Sequence, residues 1–128
     1  MEHFIKVISH GKALIAAAVG ELNEEVYLLM RKEIVDSLKT CNAKHILIDI
    51  RNAIVHASVM EIYQFAESSL KMFPLGFRYA VVYSEKTMSE EDAIFGETVA
   101  RNRGGQVQVF RDVSKAKKWL AISEIEYE

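Results

Sequence analysis

The sequence predicts a single α/β domain with a mixed, mostly parallel sheet flanked by helices, its elements running in the order ββαβαβαβα over residues 1–128. Three observations carry this prediction. Short apolar runs rich in β-branched residues alternate with longer segments of helical apolar spacing, the pattern of strand–helix repeats. The first two strand-like runs are joined only by His10-Gly11-Lys12, so they form a hairpin before the repeats begin. The later helical segments open on residues that cap helices, so the chain marks its own boundaries.

Phe4 to Ser9 alternates Phe4, Lys6 and Ile8 with Ile5, Val7 and Ser9, the period of a strand. Gly11 supplies the backbone freedom that a tight turn needs. Ala13 to Val19 is a nearly all-apolar second strand, buried on both faces, whose Ala16 to Ala18 would let a helix lie close. Gly20 to Asn23 breaks that run, and Asn23 caps a first helix reaching about Thr40, with Val26, Leu29, Met30, Ile34, Leu38 and Cys41 at helical spacing. Asn42 is a left-handed stop. Lys44 to Ile50 reads as a buried parallel strand ending in Asp49-Ile50.

After a loop, Ser58 and Glu61 form a capping box for the second helix, with Val59, Ile62, Tyr63, Ala66, Leu70 and Phe73 on its inner face and Pro74 just beyond it. Phe77 to Tyr83 is the next strand, and Ser89 to Asp92 repeats the capping box for a third helix. That helix closes near Asn102, with Arg101, Arg103 and Gly104 at its end. Gln106 to Phe110 is the last strand. A final helix from Val113, capped by Asp112 or Ser114, carries Ala116, Trp119 and Leu120, and Ser123 to Glu128 is an acidic tail. Strand–helix alternation implies parallel pairing with helices on both faces.

Half of the residues are apolar and 27% are charged, the mix of a folded domain rather than a disordered chain. The net charge of −2, from 16 Lys and Arg against 18 Asp and Glu, gives no signal for nucleic acid. A lone cysteine, Cys41, rules out an internal disulfide and suits a reducing compartment. Met1 to Lys6 lacks the design of a secretory leader, and Ala13 to Val19 is too short to span a bilayer, so the expected setting is cytoplasmic, with no membrane span.

Catalytic chemistry is sparse. Gly20-Glu21-Leu22-Asn23 is no phosphate cradle, and no lysine follows it. His3, His10, His45 and His56 show no metal-ligand spacing, so no metal and no cofactor are expected, and Cys41 reads as a small core hydrophobe. Asp49, Arg51 and Asn52 form a candidate polar rim at a strand's carboxyl end, where ligands collect in open α/β sheets. The alternative is that Asp49 caps local amides while Arg51 pairs with a carboxylate. One acid and one base define no reaction, and no catalytic residue is assigned. Arg101-Asn102-Arg103 has a sufficient reason to be cationic as a helix C-terminus. Met60, Phe65 and Met72 lie outside the main stripe of the second helix, either partner-facing or simply buried.

Ile46-Leu47-Ile48-Asp49-Ile50-Arg51-Asn52, followed by the Ser58-capped helix, resembles the STAS domain. The segment Val107-Gln108-Val109-Phe110 through Trp119-Leu120 is similar to the SpoIIAA-like subgroup of that family, with its short strand ending near Phe and its closing helix ending Ala-x-x-Trp-Leu. The resemblance covers nearly the whole chain and implies a non-catalytic regulatory domain that binds a protein partner or itself, possible homodimer included. In the antagonists of this family an Asp-Ser-Ser-Gly type motif before the second helix carries a phosphorylated serine. Ser58 falls at that place as a candidate phosphosite, but Ala57 and Met60 replace the flanking Asp and Gly.

Two functional expectations follow. The first is an interaction module using Met60, Gln64, Phe65 and Met72 of the second helix and the Asn52 to Ser58 loop. The second, suggested by the similarity of the subgroup's fold to CRAL-TRIO lipid carriers, is a domain holding a small apolar ligand or lipid in a cleft lined by residues such as Phe73, Phe77 and Phe95.

Overall fold

The computed structural model describes residues 4–10, 13–41, 43–72 and 76–120, without the side chains of 4–10, 69, 70 and 72. The turn glycine Gly11, the stop at Asn42, Phe73, Pro74, His3 and the acidic tail lie outside the described residues. The elements are β1 (Phe4–His10), β2 (Ala13–Leu22), α1 (Glu24–Leu38), β3 (His45–Val55), α2 (Val59–Met72), β4 (Arg78–Val82), α3 (Glu90–Asn102), β5 (Gln106–Phe110) and α4 (Val113–Leu120). This is the ββαβαβαβα order that the apolar periodicities predict.

Caps set the helix boundaries. The Asn23 side chain accepts from the Val26 amide at 3.0 Å, and the Ser89 hydroxyl accepts from the Asp92 amide at 3.1 Å. α3 ends in a Schellman pair, Gly105 N–H to Ala100 C=O and Gly104 N–H to Arg101 C=O, both 3.0 Å, with Gly104 at φ 88°. Asp112 caps α4, its carboxylate accepting from the Ser114 amide at 2.8 Å and the Ser114 hydroxyl at 2.9 Å, which holds the carboxyl below its ordinary range.

The five strands stand in the sheet in chain order, β1-β2-β3-β4-β5. β1 pairs antiparallel with β2, Phe4 opposite Val19 and His10 opposite Ala13, and every later pair is parallel. Right-handed crossovers that all step the same way put their helices on one face. The described helices therefore divide three against one: α1, α2 and α3 lie over one face, and among the described elements α4 covers the other. On the first face Leu14, Ala16, Ile46, Ile50 and Tyr79 pack with Val26, Met30 and Ile34 of α1 and Ala93 of α3. On the second, Ala13, Ile15, Leu47, Ala80 and Val82 pack under Ala116 and Leu120. β2 is buried on both faces from Ala13 to Ala16, as its apolar run predicts, but Val19 at the end of that run is 44% exposed.

Two strands outrun their sequence boundaries. β2 continues past Val19 to Leu22, and β3 past Ile50 to Val55. The extension passes through an irregularity where Ala17 pairs with Asp49 but Val19 pairs with Asn52, so β3 carries one extra residue. That shift explains why Ile46, Ile48 and Ile50 face the three-helix layer and Ala53 and Val55 then do so as well.

Candidate functional site

The site is built around α2. Its start is the reciprocal capping box expected from sequence: the Glu61 amide donates to the Ser58 hydroxyl at 3.2 Å, and the Ser58 amide donates to the Glu61 carboxylate at 2.9 Å. α2 has no fully buried side chain among those described, and its backbone comes close to α3 and α1 but to no strand. It stands off the sheet.

Specific contacts hold it there. On the α1 side the Phe65 ring stacks on Tyr27, centroids 4.3 Å apart, and the Tyr27 hydroxyl donates to the Phe65 carbonyl at 3.2 Å. Arg31 Nη1 donates to the Ser68 hydroxyl at 2.7 Å. Burial pushes the Tyr27 phenol up to about 12 against the opposing pull of Arg31. On the α3 side Gly96 allows close approach, since a Cβ there would meet Ile62 Cγ2 at 3.4 Å.

Beneath α2 is an apolar cavity of about 190 Å³. Its floor includes Ile48, Val81, Val107 and Val109 of the sheet, and Ile62, Phe65 and Ala66 of α2 face it from above. The central strands record the gap: Ile48 and Val81 are only part-buried, whereas Leu47 and Ala80 on the opposite face are fully buried. Tyr79 and Tyr83 also line the cavity, and desolvation raises the Tyr79 phenol above its ordinary range.

The outer surface of α2 is apolar as well. Val59 and Met60 are 55% and 63% exposed, and Ile94 on α3 is 48% exposed. Between the two helices Val59, Met60, Tyr63 and Phe95 line a shallow groove of about 160 Å³. Exposed apolar side chains gathered at one groove, as Val59 and Met60 are here, are the kind of feature that marks interaction sites.

The structure sorts the sequence-predicted residues as follows. Met60 and Gln64 are exposed on the outward side of α2. Phe65 is not: it turns inward onto Tyr27 and lines the cavity, contrary to the partner-facing reading. Val59 is the converse, expected inside and found exposed. The side chain of Met72 lies outside the described residues. The inner stripe is Ile62, Phe65 and Ala66; periodicity misplaces it because both sides of this helix are apolar. Of the aromatic residues expected to line a cleft, Phe77 packs against the core, Phe95 lines the outer groove instead, and Phe73 lies outside the described residues.

Asp49, Arg51 and Asn52 do not sit on a loop at a strand end, because β3 runs on to Val55. Asp49 is 6% exposed and fills the strand irregularity. Its Oδ1 accepts from the Arg51 amide at 3.1 Å and Arg51 Nε at 3.0 Å, and its Oδ2 accepts from Arg51 Nη2 at 2.7 Å. The pair thus satisfies a backbone amide at the irregularity, and Asn52 is exposed beside it. His56 Nε2 lies 3.5 Å from the Glu21 carboxylate rather than at Asp49, and the side chain of His10 is not described. Cys41 is half-buried against the core, as a small hydrophobe. Among the described residues no group of three His, Cys, Asp or Glu could hold a metal ion, and no helix is long and apolar enough to cross a membrane.

Sequence reasoning missed Tyr27, Tyr79 and Tyr83 as cavity residues and Ile94 as an exposed apolar residue of α3. The run Ala93-Ile94-Phe95 held the signal for the last, since three consecutive apolar residues on a helix cannot all face one side.

No protein-family profile matches the chain, and no curated protein matches it. Solved structures do. One is an uncharacterized protein of the DUF3478 family with a SpoIIAA-like fold from Shewanella loihica PV-4, 23% identical, with a TM-score of 0.59 over 92% of this chain and 93% of that one. Another is an anti-sigma factor antagonist from Mycobacterium paratuberculosis, 10% identical, with a TM-score of 0.64 over 94% of this chain and 95% of that one. The chain therefore has the SpoIIAA-like fold, the architecture that its β3–α2 segment and Trp119-Leu120 closing helix resemble in sequence.

Proposed function

We propose that this domain is a non-catalytic, regulatory protein-interaction module that docks its partner, another protein or a second copy of itself, through the groove between α2 and α3. The observation that carries the reading is the exposure of Val59 and Met60 in a groove that they line with Tyr63 and Phe95. The likeness to an anti-sigma factor antagonist, a protein named for acting on another protein, supports it. So does the engagement of the acid and base groups, Asp49 with Arg51 and His56 with Glu21, in structural pairs. A cytoplasmic setting is part of the proposal, on the single cysteine. Ser58 enters it as a helix cap rather than as a phosphate switch.

The test is Met60→Asp together with Phe95→Asp. Light scattering over a concentration range reads self-association. A partner isolated from the source cells supports the reading only if, once purified, it binds wild type and loses at least about tenfold in affinity for the variants, the loss expected of anchor residues. Unchanged association and unchanged partner affinity, with circular dichroism showing intact folding, would overturn it.

A second reading, an apolar-ligand carrier, is supported by the cavity of about 190 Å³ under α2. Native mass spectrometry of gently purified protein tests it: a co-purifying small mass supports it, and a clean apo mass with no stabilisation across a panel of apolar compounds counts against it.

A further inference from the structure

We infer that the cavity between α2 and the sheet is a binding site for a small, neutral, ring-sized apolar molecule rather than for a lipid chain. The inference rests on the carrier reading and goes further by fixing the ligand's size, shape and charge.

Size comes from volume. An engineered core cavity of about 150 Å³ takes up benzene. At about 190 Å³ this one has room for a substituted monocyclic or small bicyclic ring, and too little for a long-chain lipid. Shape comes from the walls. The floor is laid by β-branched side chains of adjacent parallel strands, Ile48 on β3, Val81 on β4 and Val109 on β5, opposite the flat rings of Phe65 and Tyr27. A space between a sheet and a stand-off helix favours a planar guest, and aromatic walls reward one.

Charge comes from the rim. Arg31, Asp92 and Glu97 are the charged residues of the lining, one cation against two carboxylates, which disfavours an anion. Arg31 is engaged with Ser68 at 2.7 Å and lies over the Tyr27 ring. Glu97 accepts from the Val109 amide at 2.8 Å and lies 3.6 Å from Arg101, so its charge is already answered. A charged guest would be desolvated against these walls without adequate compensation. α2, which covers the cavity, is held to α1 by the Tyr27 and Arg31 side chains rather than by strand pairing.

The experiment titrates toluene, indole, benzoate, benzylamine and palmitate separately into the intact chain, reading Tm and intermolecular NOEs. Toluene and indole are expected to raise Tm saturably, and benzoate and benzylamine to bind at least about tenfold more weakly, roughly the cost of one poorly compensated charge. Palmitate is expected to do nothing. NOEs should run from toluene ring protons to the methyls of Ile48 and Val81. Ala66→Leu, which fills the space from α2, should abolish the shift, and if that variant does not fold the wild-type NOEs decide. Palmitate binding while toluene and indole fail would overturn the ring-sized class and leave the carrier reading standing. Tighter binding of benzoate or benzylamine would overturn the neutral class. NOEs confined to residues outside the cavity lining, or no binding by any probe, would overturn the site, and the last result would remove the carrier reading with it.

Discussion

Arg103 at the end of α3 grips Glu67 of α2. Its Nε and Nη2 donate to the same carboxylate oxygen at 3.1 and 2.9 Å, and Nη2 also donates to the Tyr63 hydroxyl at 2.6 Å. Since α2 has no strand to rest on, this exposed clamp is a main restraint on it. Arg103→Ala should speed amide exchange in α2 more than in α1 or α3, while Tm changes little, because exposed ion pairs add little global stability. The Arg103 hydrogen bond holds the Glu67 carboxyl below its ordinary value of 4.5. A carboxyl whose folded value is depressed contributes stability above its unfolded value and loses it as pH falls through the folded one. Acidification below about 4.5 should therefore loosen α2 in the wild type, seen as shifts of its amide resonances by NMR, and that component should be missing in Arg103→Ala.

Asp49 should be a structural residue of β3. Asp49→Ala leaves the Arg51 amide and guanidinium without that carboxylate in a part-buried setting. The expected loss is about 2–4 kcal/mol, the range for removing one partner of a buried charged pair. Urea denaturation checks it, and a loss below about 0.5 kcal/mol, the scale of an ordinary surface substitution, would contradict the assignment.

Ser58 should behave as a cap. Ser58→Ala is expected to cost about 1 kcal/mol, and Ser58→Asp to retain most of the stability, because Asp caps as well as Ser does. The Glu61 carboxylate already occupies the Ser58 amide, so a phosphate there would meet like charge. Association of Ser58→Asp, followed by light scattering, should match wild type.

β5 is an edge strand, and two of its outward backbone groups are occupied by side chains of α3. Glu97 accepts from the Val109 amide at 2.8 Å, and Arg101 Nε donates to the Val107 carbonyl at 2.8 Å. An edge blocked by side chains resists pairing with another chain. The double variant Glu97→Ala, Arg101→Ala should free both groups and raise concentration-dependent aggregation, measured by static light scattering on heating, with helix content unchanged at low concentration.

Much of the fold is legible in the residues. The caps at Asn23, Ser58, Ser89 and Asp112 all form as their side chains dictate, because capping is local chemistry. The apolar runs of β2 and β3 locate the sheet's centre for the same reason. The strand ends were less legible: β3 runs on to Val55 only because β2 offers it a partner, and pairing across the sheet has no local signature. The site was half legible. Met60 follows from surplus apolar character, but Phe65 and Val59 exchange roles because a helix that is apolar on two sides does not declare which one faces in. The cavity belongs to tertiary spacing, the gap left where α2 stands clear of Ile48 and Val81, and no residue pattern encodes a gap.

The chain-order arrangement of the strands bears on synthesis. Each strand from β2 to β5 leaves the ribosome with its neighbour already laid down, so no later segment has to insert between two earlier ones. α4 is the last described element to emerge, and it is the helix that covers Leu47, Ala80 and Val82. Until Val113 to Leu120 is free of the exit tunnel, the nascent sheet has no helix over that apolar face, and this is the interval in which the chain has most need of a chaperone.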